Sequence, residues 1–382
     1  MSFKERFRPS YWEKQTYLAP YDVAIVGSGI VGLNAAITLK SRHRSLRVII
    51  VERGVYPIGA STRNAGFACF GSISEVLSDI DAMGYDDAMQ LFLKRKKGLD
   101  RLMQIVDPAK IDYRHLGGYE IFLEEDESKY DSCIEIADQL NGDLRSVFQG
   151  DVFVPRDGLI NDFRLNNVPH LIAHPMEGQL HPGKLVVALM DRAAELGVRF
   201  ANGCEIAEIH EEDKLCRLDC GNIEITARQV LVAANGFAGK LLKGIEVVPA
   251  RNQVLVTKPI DNLRLKGCFH YNEGYVYFRN IDGRILIGGA RHVAMEGEST
   301  SEFGMNTRIT QWLERFLAEH MGVAKDSVEY AWSGIMGVGN VKAPVIEMIS
   351  ARIGAAVRLG GMGVAIGSLV GEEAADLIEQ HI

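Results

Sequence analysis

The chain has 382 residues, of which 47% are hydrophobic and 24% are charged, and these values are typical of a globular protein with a core. Intrinsic disorder is excluded because it requires low hydrophobicity and high net charge. The 42 basic and 50 acidic residues give a net charge of −8. This balance argues against nucleic acid as a partner, because proteins that bind it carry a basic face.

The length predicts two lobes or one composite domain, at about 100–200 residues per domain. No apolar run reaches the ~18 residues of a transmembrane helix, and residues 1–20 lack the apolar segment of a signal peptide. The six cysteines form no C-x-x-C pair, and Cys216 and Cys220 are four residues apart in strands expected to be exposed. No metal site is therefore predicted, and a reduced, cytoplasmic location is expected.

The first predicted elements form a βαβ unit. Residues 22–26 are a short apolar run that ends at a glycine, which is typical of a buried parallel strand. Residues 30–40 have the apolar spacing of a helix, and residues 47–51 form a second buried strand. This order, within about 30 residues, predicts a right-handed crossover between parallel strands.

The remaining elements follow from periodicity and turn residues. Helices are predicted at residues 86–106, 127–140, 184–196, 306–321 and 369–382. Strands are predicted at residues 119–123, 198–201, 205–210, 215–219, 222–226, 229–233, 247–248, 253–257, 275–279 and 284–287, with a hairpin turn at 280–283. The basic run at residues 94–97 is interpreted as a solvated helix face, and His181, before Pro-Gly, as a helix cap.

A G-x-G-x-x-G motif stands between the first predicted strand and helix. Gly27 makes the tight turn, Gly29 lets the backbone approach a pyrophosphate, and Gly32 lets the helix pack close to the strand. The pyrophosphate would face the positive end of the helix dipole. Glu52 ends the second strand, where a carboxylate accepts hydrogen bonds from an adenosine ribose. These residues predict a dinucleotide site.

The segment after Glu52 resembles a known family. Residues 59–66, Gly-Ala-Ser-Thr-Arg-Asn-Ala-Gly, resemble the second signature of the D-amino-acid oxidase/glycine oxidase superfamily, in the form typical of its γ-glutamylputrescine oxidoreductase-like branch. Further segments that resemble the family follow in the same order, at residues 179–185, 205–206, 231–236, 249–253, 282–289 and 361–363.

The resemblance implies FAD as the cofactor and an α/β fold of the glycine oxidase type. A Rossmann-like βαβ FAD-binding domain is expected at residues 1–84, 176–246 and 330–382. A discontinuous, mixed-sheet α+β substrate domain is expected at residues 85–175 and 247–329. The implied cofactor-binding residues are Gly27, Gly29, Ile30, Gly32, Glu52, Arg53, Ser61, Thr62, Asn64, Ala65, Gly66, Ile206, Ala234, Asn235, Gly236, Gly361, Met362, Gly363 and Val364.

The C-terminal glycines have a physical role in this interpretation. Backbone amides at residues 361–363 and the following helix N-terminus would stabilise negative charge near N1 and O2 of a reduced flavin, as an oxyanion hole does. Met362 stands where the family has a histidine, and Met336 where it has the arginine that holds a substrate carboxylate. A plain α-amino acid bound in the usual way is therefore not expected, because methionine cannot form a bidentate clamp.

Candidate substrate-binding residues are Tyr275, Tyr277, Arg279, His270, Tyr271 and Met336. The first three alternate onto one face of a predicted strand. The expected reaction is hydride transfer to flavin N5 from a C–H next to the nitrogen of an amine or amino-acid-like substrate. Oxygen or an electron carrier would be the acceptor. A hydroxy-acid dehydrogenase on the same fold and a non-catalytic flavoprotein acting through partners are the alternatives.

Overall fold

The computed structural model describes residues 8–221, 223–324 and 326–382. The helices are α1 (Tyr11–Thr16), α2 (Ile30–Arg42), α3 (Ala60–Arg63), α4 (Ile73–Met83), α5 (Tyr85–Ile105), α6 (Glu127–Phe148), α7 (Leu159–Phe163), α8 (Pro182–Glu195), α9 (Thr307–Met321) and α10 (Gly363–Glu379). Short 3-10 turns lie at Pro108–Ile111, Glu124–Asp126, Asn235–Lys240 and Arg291–Glu298.

The strands are β1 (Tyr21–Val26), β2 (Val48–Glu52), β3 (Phe67–Ala68), β4 (Gly118–Phe122), β5 (Val154–Pro155), β6 (His170–His174), β7 (Gly178–Gln179), β8 (Arg199–Asn202), β9 (Glu208–Glu211), β10 (Cys216–Cys220), β11 (Ile223–Val232), β12 (Val248–Thr257), β13 (Cys268–Tyr271), β14 (Val276–Ile281), β15 (Arg284–Gly289), β16 (Val328–Val338), β17 (Val345–Met348) and β18 (Ile353–Val357).

The first sheet has the order β17-β18-β11-β1-β2-β8, with β10 and β9 added beside β11. Its central strands β18, β11, β1, β2 and β8 run parallel. Every residue of β2 and of β18 is buried, as expected for parallel strands covered on both faces. The predicted βαβ unit is confirmed, because β1, α2 and β2 follow one another and the two strands pair in parallel.

The second sheet has the order β16-β12-β15-β14-β13-β4-β6-β5. Its strands are antiparallel except for the parallel pair β13 and β4, so it is a mixed sheet as predicted. Asp282 and Gly283 have positive φ angles of 47° and 72°, which makes the turn between β14 and β15 the expected tight hairpin. The α/β fold with a second, mixed sheet matches the predicted fold class.

Strand β16 lies in the second sheet, although residues from 330 onward were expected in the FAD-binding domain. The reason is strand pairing. Strand β16 pairs with β12 along its whole length, from Val338 opposite Val248 to Val328 opposite Thr257. The chain returns to the first sheet only at β17 and β18.

Helix α10 begins at Gly363, six residues before the predicted start at 369. Gly367 and Gly371 lie inside the helix, at the places where it contacts α2. A Cβ on Gly371 would lie 2.6 Å from the Cβ of Asn34 in α2, and a Cβ on Gly367 would lie 2.9 Å from Cγ2 of Ile30. The close approach buries α2 between the sheet and α10.

Helix α5 packs on α10 as well. A Cβ on Gly98 would lie 2.3 Å from the carbonyl oxygen of Ala365, and the Ser368 hydroxyl donates a hydrogen bond to the Gly98 carbonyl. Arg95 corrects the interpretation of residues 94–97 as a solvated face, because its side chain is 4% exposed and points inward. Lys96 and Lys97 remain at or near the surface.

The expectation that Cys216 and Cys220 are exposed is corrected. Cys216 and Cys220 are buried rather than exposed, because alternate residues of β10 face the core. Cys204 and Cys220 form a disulfide with Cα atoms 5.5 Å apart, and Cys69, Cys133, Cys216 and Cys268 are free. Among the described residues, no helix combines the length and apolarity needed to cross a bilayer.

Candidate active site

A cavity of about 580 Å³ lies at the carboxyl ends of the parallel strands and extends to the second sheet. Residues from the loops after β1, β2, β11 and β18 line one end. Residues of β12, β14 and β16 line the other. Parallel sheets of this kind bind ligands at the carboxyl ends of their strands.

The loop from β1 to α2 has the conformation that its glycines predict. Gly27 has a φ of 110°, a region that glycine adopts without steric cost. A Cβ on Gly32 would lie 2.1 Å from the Gly27 carbonyl oxygen. Gly29 is the N-cap of α2 and supplies no side-chain cap, although Ser61 Oγ accepts a hydrogen bond from Ile30 N at 2.9 Å. The positive end of α2 therefore faces the cavity.

Glu52 lies at the end of β2 beside this loop. It accepts hydrogen bonds from Ser28 Oγ at 2.7 Å, from Ser28 N at 3.2 Å and from Gly54 N at 3.0 Å. The carboxylate is held rigidly at the cavity wall. The next residue, Arg53, places its guanidinium 3.8 Å from the ring centroid of Phe237, and its buried Nη2 has no hydrogen-bond partner among the described residues.

The segment 59–66 forms a second wall and is tied to the second sheet. Trp332 Nε1 donates to the Arg63 carbonyl at 2.9 Å, and Arg279 Nε donates to the Ala65 carbonyl at 2.5 Å. Asn64 stabilises the loop internally, since its Oδ1 accepts from Gly66 N at 2.8 Å. The loop is therefore fixed before any ligand enters.

The loop before α10 forms the third wall. Met362 is the N-cap of α10 and makes no side-chain cap hydrogen bond, and a Cβ on Gly361 would meet nothing within 4 Å. Asn235 Oδ1 accepts hydrogen bonds from Arg358 N at 3.0 Å and Leu359 N at 3.4 Å. This contact joins the loop after β11 to the loop after β18.

These walls fit an elongated anionic dinucleotide. Two helix N-termini without their own side-chain caps, those of α2 and α10, face one cavity. Arg53 Nη2 and Arg63 Nε are buried and have no partner among the described residues. Unsatisfied buried donors are costly, and a pyrophosphate would satisfy such donors.

Most of the predicted cofactor residues line the cavity. They are Gly27, Gly29, Ile30, Glu52, Arg53, Ser61, Asn64, Ala65, Ile206, Ala234, Asn235, Gly361, Met362, Gly363 and Val364. The other four predicted residues do not line the cavity and lie behind its walls: Gly32, Thr62, Gly66 and Gly236. Thr62 Oγ1 donates to the Pro57 carbonyl, and a Cβ on Gly236 would lie 2.3 Å from the Met336 carbonyl oxygen, so these residues shape the walls from behind.

Four of the candidate substrate residues line the far end of the cavity: His270, Tyr275, Tyr277 and Met336. We call this end the substrate chamber, and Phe67, Asn252 and Val254 line it as well. Phe67 packs edge-on against both Tyr277 and His270, with ring centroids 5.6 and 5.3 Å apart. The chamber therefore has an aromatic wall.

The structure places Arg279 and Tyr271 outside the chamber. Arg279 is 3% exposed and bonds the carbonyls of Ala65 and Leu180, so its guanidinium is directed to the loop rather than to the cavity. Burial lowers the pKa of Arg279. The Tyr271 ring packs on Phe316 of α9, with centroids 5.4 Å apart, because its position in β13 faces the opposite side of the sheet from His270.

A buried ion pair lies beneath the chamber. His270 Nε2 is 3.6 Å from Glu177 Oε2, and Glu177 Oε1 accepts hydrogen bonds from Phe70 N at 2.7 Å and Gly71 N at 3.3 Å. Burial favours neutral Glu177, but His174 and His270 outweigh it and lower its pKa to about 2. Burial likewise opposes a charge on His270, but Glu177 holds the pKa of His270 above its ordinary value.

Cys69 lies beside this ion pair. Its Sγ is within 4.8 Å of ligand atoms of Glu177 and His270. Burial and the neighbouring Cys268 raise the pKa of Cys69 well above its ordinary value. Cys69 is therefore a neutral thiol at neutral pH, whereas a metal ligand would be a thiolate.

A second charged network closes the chamber from the side. Arg95 Nη2 lies 3.1 Å from Glu75 Oε1 and 3.5 Å from Asp79 Oδ2. Lys342, from the loop between β16 and β17, pairs with Asp79 and lies 4.0 Å from Glu75. These contacts join α4, α5 and the C-terminal part of the chain at the cavity.

Sequence reasoning missed Glu75, Arg95, Asn252, Arg291 and Lys342, all of which line the cavity. They are scattered along the chain, and tertiary packing alone brings them together. The inward direction of Arg95 had a signal, since it shares a helix face with Phe92 and Leu99, three and four residues away. The cap interpretation of His181 is confirmed, because His181 Nδ1 accepts from Lys184 N at 3.2 Å.

Known proteins match both the sequence and the fold. Residues 22–377 match the family described as FAD dependent oxidoreductase, DAO. The glycine oxidase of Geobacillus kaustophilus is 26% identical, over 94% of this chain and 93% of that protein. A probable oxidoreductase, OrdL, of Haemophilus influenzae is 22% identical, over 99% of this chain and 89% of that protein.

Solved structures share the fold. The glycine oxidase of Bacillus cereus superposes with a TM-score of 0.74 at 22% identity, covering 94% of this chain and 98% of that one. The L-proline dehydrogenase of P. horikoshii gives a TM-score of 0.75 at 16% identity, covering 95% of this chain and 94% of that one.

The family match spans far more than half of the chain and coincides with the dinucleotide cavity described above. The protein belongs to the DAO family of FAD-dependent oxidoreductases. It is therefore an FAD-dependent enzyme, as the resemblance of residues 59–66 to that family implied.

Proposed function

We propose that the protein oxidises a C–N bond of an amine or amino-acid-like substrate. The observation that carries this proposal is the substrate chamber, an aromatic compartment continuous with the dinucleotide cavity. Its buried acceptor Asn252 Oδ1 has no hydrogen-bond partner among the described residues, while Asn252 Nδ2 contacts Met336 Sδ at 3.8 Å. An N–H group of a substrate would satisfy this oxygen.

The names of several relatives support an amine substrate. They include glycine oxidases, an L-proline dehydrogenase and an iminodiacetate oxidase. FAD, when bound, would supply the chemistry, which is acceptance of a hydride from the substrate C–H next to nitrogen. The imine that results is hydrolysed by water to a carbonyl compound and an amine.

The residues of this chain position the two reactants. We propose that the cavity-lining glycine loops, Glu52 and the backbone at residues 361–363 hold FAD. Asn252 accepts a hydrogen bond from the amine, while Phe67, Tyr275 and Tyr277 exclude water from the reacting carbon. The His270–Glu177 ion pair lies beneath the chamber floor. The substrate amine enters in its neutral form, so no strong protein base is required.

We also propose a functional division between two lobes. The first sheet, with α2 and α10, supplies the FAD cradle, and the second sheet supplies the substrate chamber. By this division, residues 85–105 pack with the FAD lobe through Gly98 and Ala365, and β16 belongs with the substrate lobe.

Anaerobic titration of the purified holoenzyme tests the proposed reaction. The visible flavin absorbance should bleach with members of a panel of primary, N-substituted and cyclic amines and amino acids, and should not bleach with hydroxy acids. Bleaching by hydroxy acids alone would contradict the amine proposal. Oxygen consumption with the active substrate then distinguishes oxygen from an electron carrier as the acceptor.

A further inference from the structure

We propose that Cys69, Glu177 and His270 form a binding site for a divalent cation of the zinc type beneath the substrate chamber. All three side chains are buried, and their ligand atoms lie within 4.8 Å of one another. Thiolate, imidazole and carboxylate are the ligand types that Zn²⁺ takes in proteins. Such a site would exist whether or not the protein oxidises a C–N bond.

Two of the ligand atoms lack the hydrogen bonds that buried polar atoms normally make. Glu177 Oε2 and His270 Nε2 have no hydrogen-bond partner in the part of the chain that the structure describes, and they lie 3.6 Å apart. Zinc bonds of about 2.0–2.3 Å at tetrahedral angles place neighbouring ligand atoms roughly 3.3–3.8 Å apart. A cation between these two atoms would therefore satisfy both at the separation they already have.

The backbone after β3 orients both the carboxylate and the thiol. Glu177 Oε1 accepts hydrogen bonds from Phe70 N at 2.7 Å and from Gly71 N at 3.3 Å, which leaves Oε2 available to a cation. Cys69 directly precedes Phe70, so the same turn holds the thiol next to the carboxylate. Outer contacts of this kind fix the orientation of ligands in metal sites.

The charges at the site suit a divalent cation. A thiolate at Cys69 and the carboxylate of Glu177 would together neutralise it, and His270 would bind as a neutral imidazole. A thiol that coordinates a metal is deprotonated, so the thiol proton leaves to solvent as the cation enters, together with the proton of a charged His270. The neutral Cys69 thiol is therefore that of the metal-free protein.

The ligands lie on three separate segments. Cys69 follows β3, Glu177 precedes β7, and His270 lies in β13 of the second sheet. A cation would therefore join the β3–β7 pair to the second sheet, and the cavity, which Cys69 and His270 line, gives it an entry path. Because no two ligands are close in sequence, no C-x-x-C spacing marks the site. Three protein ligands leave the fourth tetrahedral position to water or a bound molecule.

Zinc binding to the FAD-loaded protein tests the site. The full-length protein would first be freed of metal with a chelator and then dialysed against Zn²⁺ buffered by a chelator of known affinity. We expect one Zn²⁺ per chain in the wild type. Cys69→Ser should weaken binding by more than about 100-fold, because loss of an outer contact alone costs about 10–100-fold in metal affinity.

Co²⁺ provides a second readout, because tetrahedral Co²⁺ absorbs at longer wavelengths than oxidised flavin. The band should appear when Co²⁺ is added to the metal-free wild type and should be absent from Cys69→Ser. Cys133→Ser is the matched control, since Cys133 is also a buried free cysteine but lies in α6, outside the cavity. Its zinc affinity and its Co²⁺ spectrum should equal those of the wild type.

Histidine variants provide the comparison if Cys69→Ser fails to retain FAD. His270→Gln should lose zinc affinity by a similar factor, whereas His320→Gln should not, although both histidines are 7% exposed. Zinc affinity equal to that of the wild type in Cys69→Ser or His270→Gln would overturn the inference, as would a wild type that binds no Zn²⁺.

Anaerobic titration with amines separates this site from the proposed function. A wild type that binds one Zn²⁺ but is bleached by no amine keeps the metal site and contradicts amine oxidation. A wild type that amines bleach but that binds no Zn²⁺ keeps the proposed function and contradicts the metal site.

Discussion

At the scale of single residues, the charge of Glu177 lowers the stability of the fold through its burial and raises it through its contacts. Its side chain is 1% exposed, and burying an isolated carboxylate is costly. His270 at 3.6 Å and the backbone amides of Phe70 and Gly71 compensate for this cost. His174 is also near, but burial lowers the pKa of His174, so its charge supports Glu177 only at more acidic pH.

The pKa shifts define a pH window. Glu177 has its pKa lowered from 4.5 to about 2, so its stabilising contribution is present above pH 4.5 and is lost as the pH falls toward 2. His270 has its pKa raised from 6.5, so its contribution is present below pH 6.5 and is lost as the pH rises through its folded value. Between pH 4.5 and pH 6.5, both residues contribute to stability.

We expect Glu177→Gln to lower the free energy of unfolding by about 3–5 kcal/mol near pH 5.5, because it leaves a buried charge unpaired. The loss should be smaller near pH 9, because His270 loses its charge as the pH rises through its raised pKa. Urea unfolding at the two pH values measures the difference. Glu211→Gln, at an exposed carboxylate of β9, is the control, and a loss that does not depend on pH would contradict the ion-pair interpretation.

Arg279 shows how a residue can be on the predicted strand face and still lie outside the site. The alternation of Tyr277 and Arg279 was predicted correctly, because period 2 follows from strand geometry, and Tyr275 directly precedes the strand. Only the tyrosines reach the cavity. The 59–66 loop packs over the end of the strand and captures the guanidinium through the Ala65 carbonyl, a contact that local sequence does not encode.

At the scale of elements, glycines determine how closely the helices around the FAD cradle approach one another. Gly98 of α5 faces the Ala365 carbonyl of α10 and has no room for a Cβ. Gly142 of α6 is also helical, but a Cβ there would meet nothing within 4 Å. The two glycines provide a matched pair for separating packing from helix propensity.

We expect Gly98→Ala to destabilise the protein by about 1–3 kcal/mol, because the new methyl group forces α5 away from α10. Gly142→Ala should instead stabilise it by about 0.5–1 kcal/mol, the difference in helix propensity. Thermal unfolding and the FAD content after gel filtration measure both effects. Stabilisation of similar size in both variants would contradict the close contact between α5 and α10.

The type and order of the local elements were predicted well from the sequence, but some of their boundaries and their sheet membership were not. The β1–α2–β2 unit, the hairpin at 280–283 and helix α9 were predicted because buried runs, turn residues and apolar periodicity are local signals. The start of α10 was missed by six residues, since glycines at helix contacts resemble loop glycines in a sequence. The allocation of β16 depends on pairing with β12, which is a long-range choice.

The candidate site likewise has one part that local sequence predicts and one part that only tertiary packing assembles. The glycine turn and Glu52 could be placed together from the sequence because they stand in a fixed local order, and both lie at the cavity. The substrate chamber could be predicted only in part, since Arg291, Asn252 and Glu75 come from separate segments and meet through tertiary packing.

At the scale of the whole molecule, the disulfide between Cys204 and Cys220 links the segment after β8 to β10. Cys204 and Ile206 line the cavity, so the bond restrains one cavity wall. It closes a segment with a sequence separation of 16 residues, and a loop of that size corresponds to about 3 kcal/mol of stabilisation.

Thiol titration of the unfolded protein without reductant should detect the four free cysteines, and titration after reduction should detect six. Reduction should lower the free energy of unfolding by about 3 kcal/mol. Cys220→Ser should show the same lowered stability with or without reductant. Detection of six thiols in the unreduced protein would contradict the disulfide.

The joining of α2 and α10 at one cradle has a consequence for biosynthesis. The first glycine turn is at Gly27 and the last cofactor-facing loop ends at Gly363, so a ribosome adding about 5–20 residues per second needs on the order of tens of seconds between them. During that interval β1 and β2 have no α10 to cover α2, and the nascent apolar helix remains available to chaperones. The two parts of the chain that are proposed to hold FAD are therefore both present only at the end of translation.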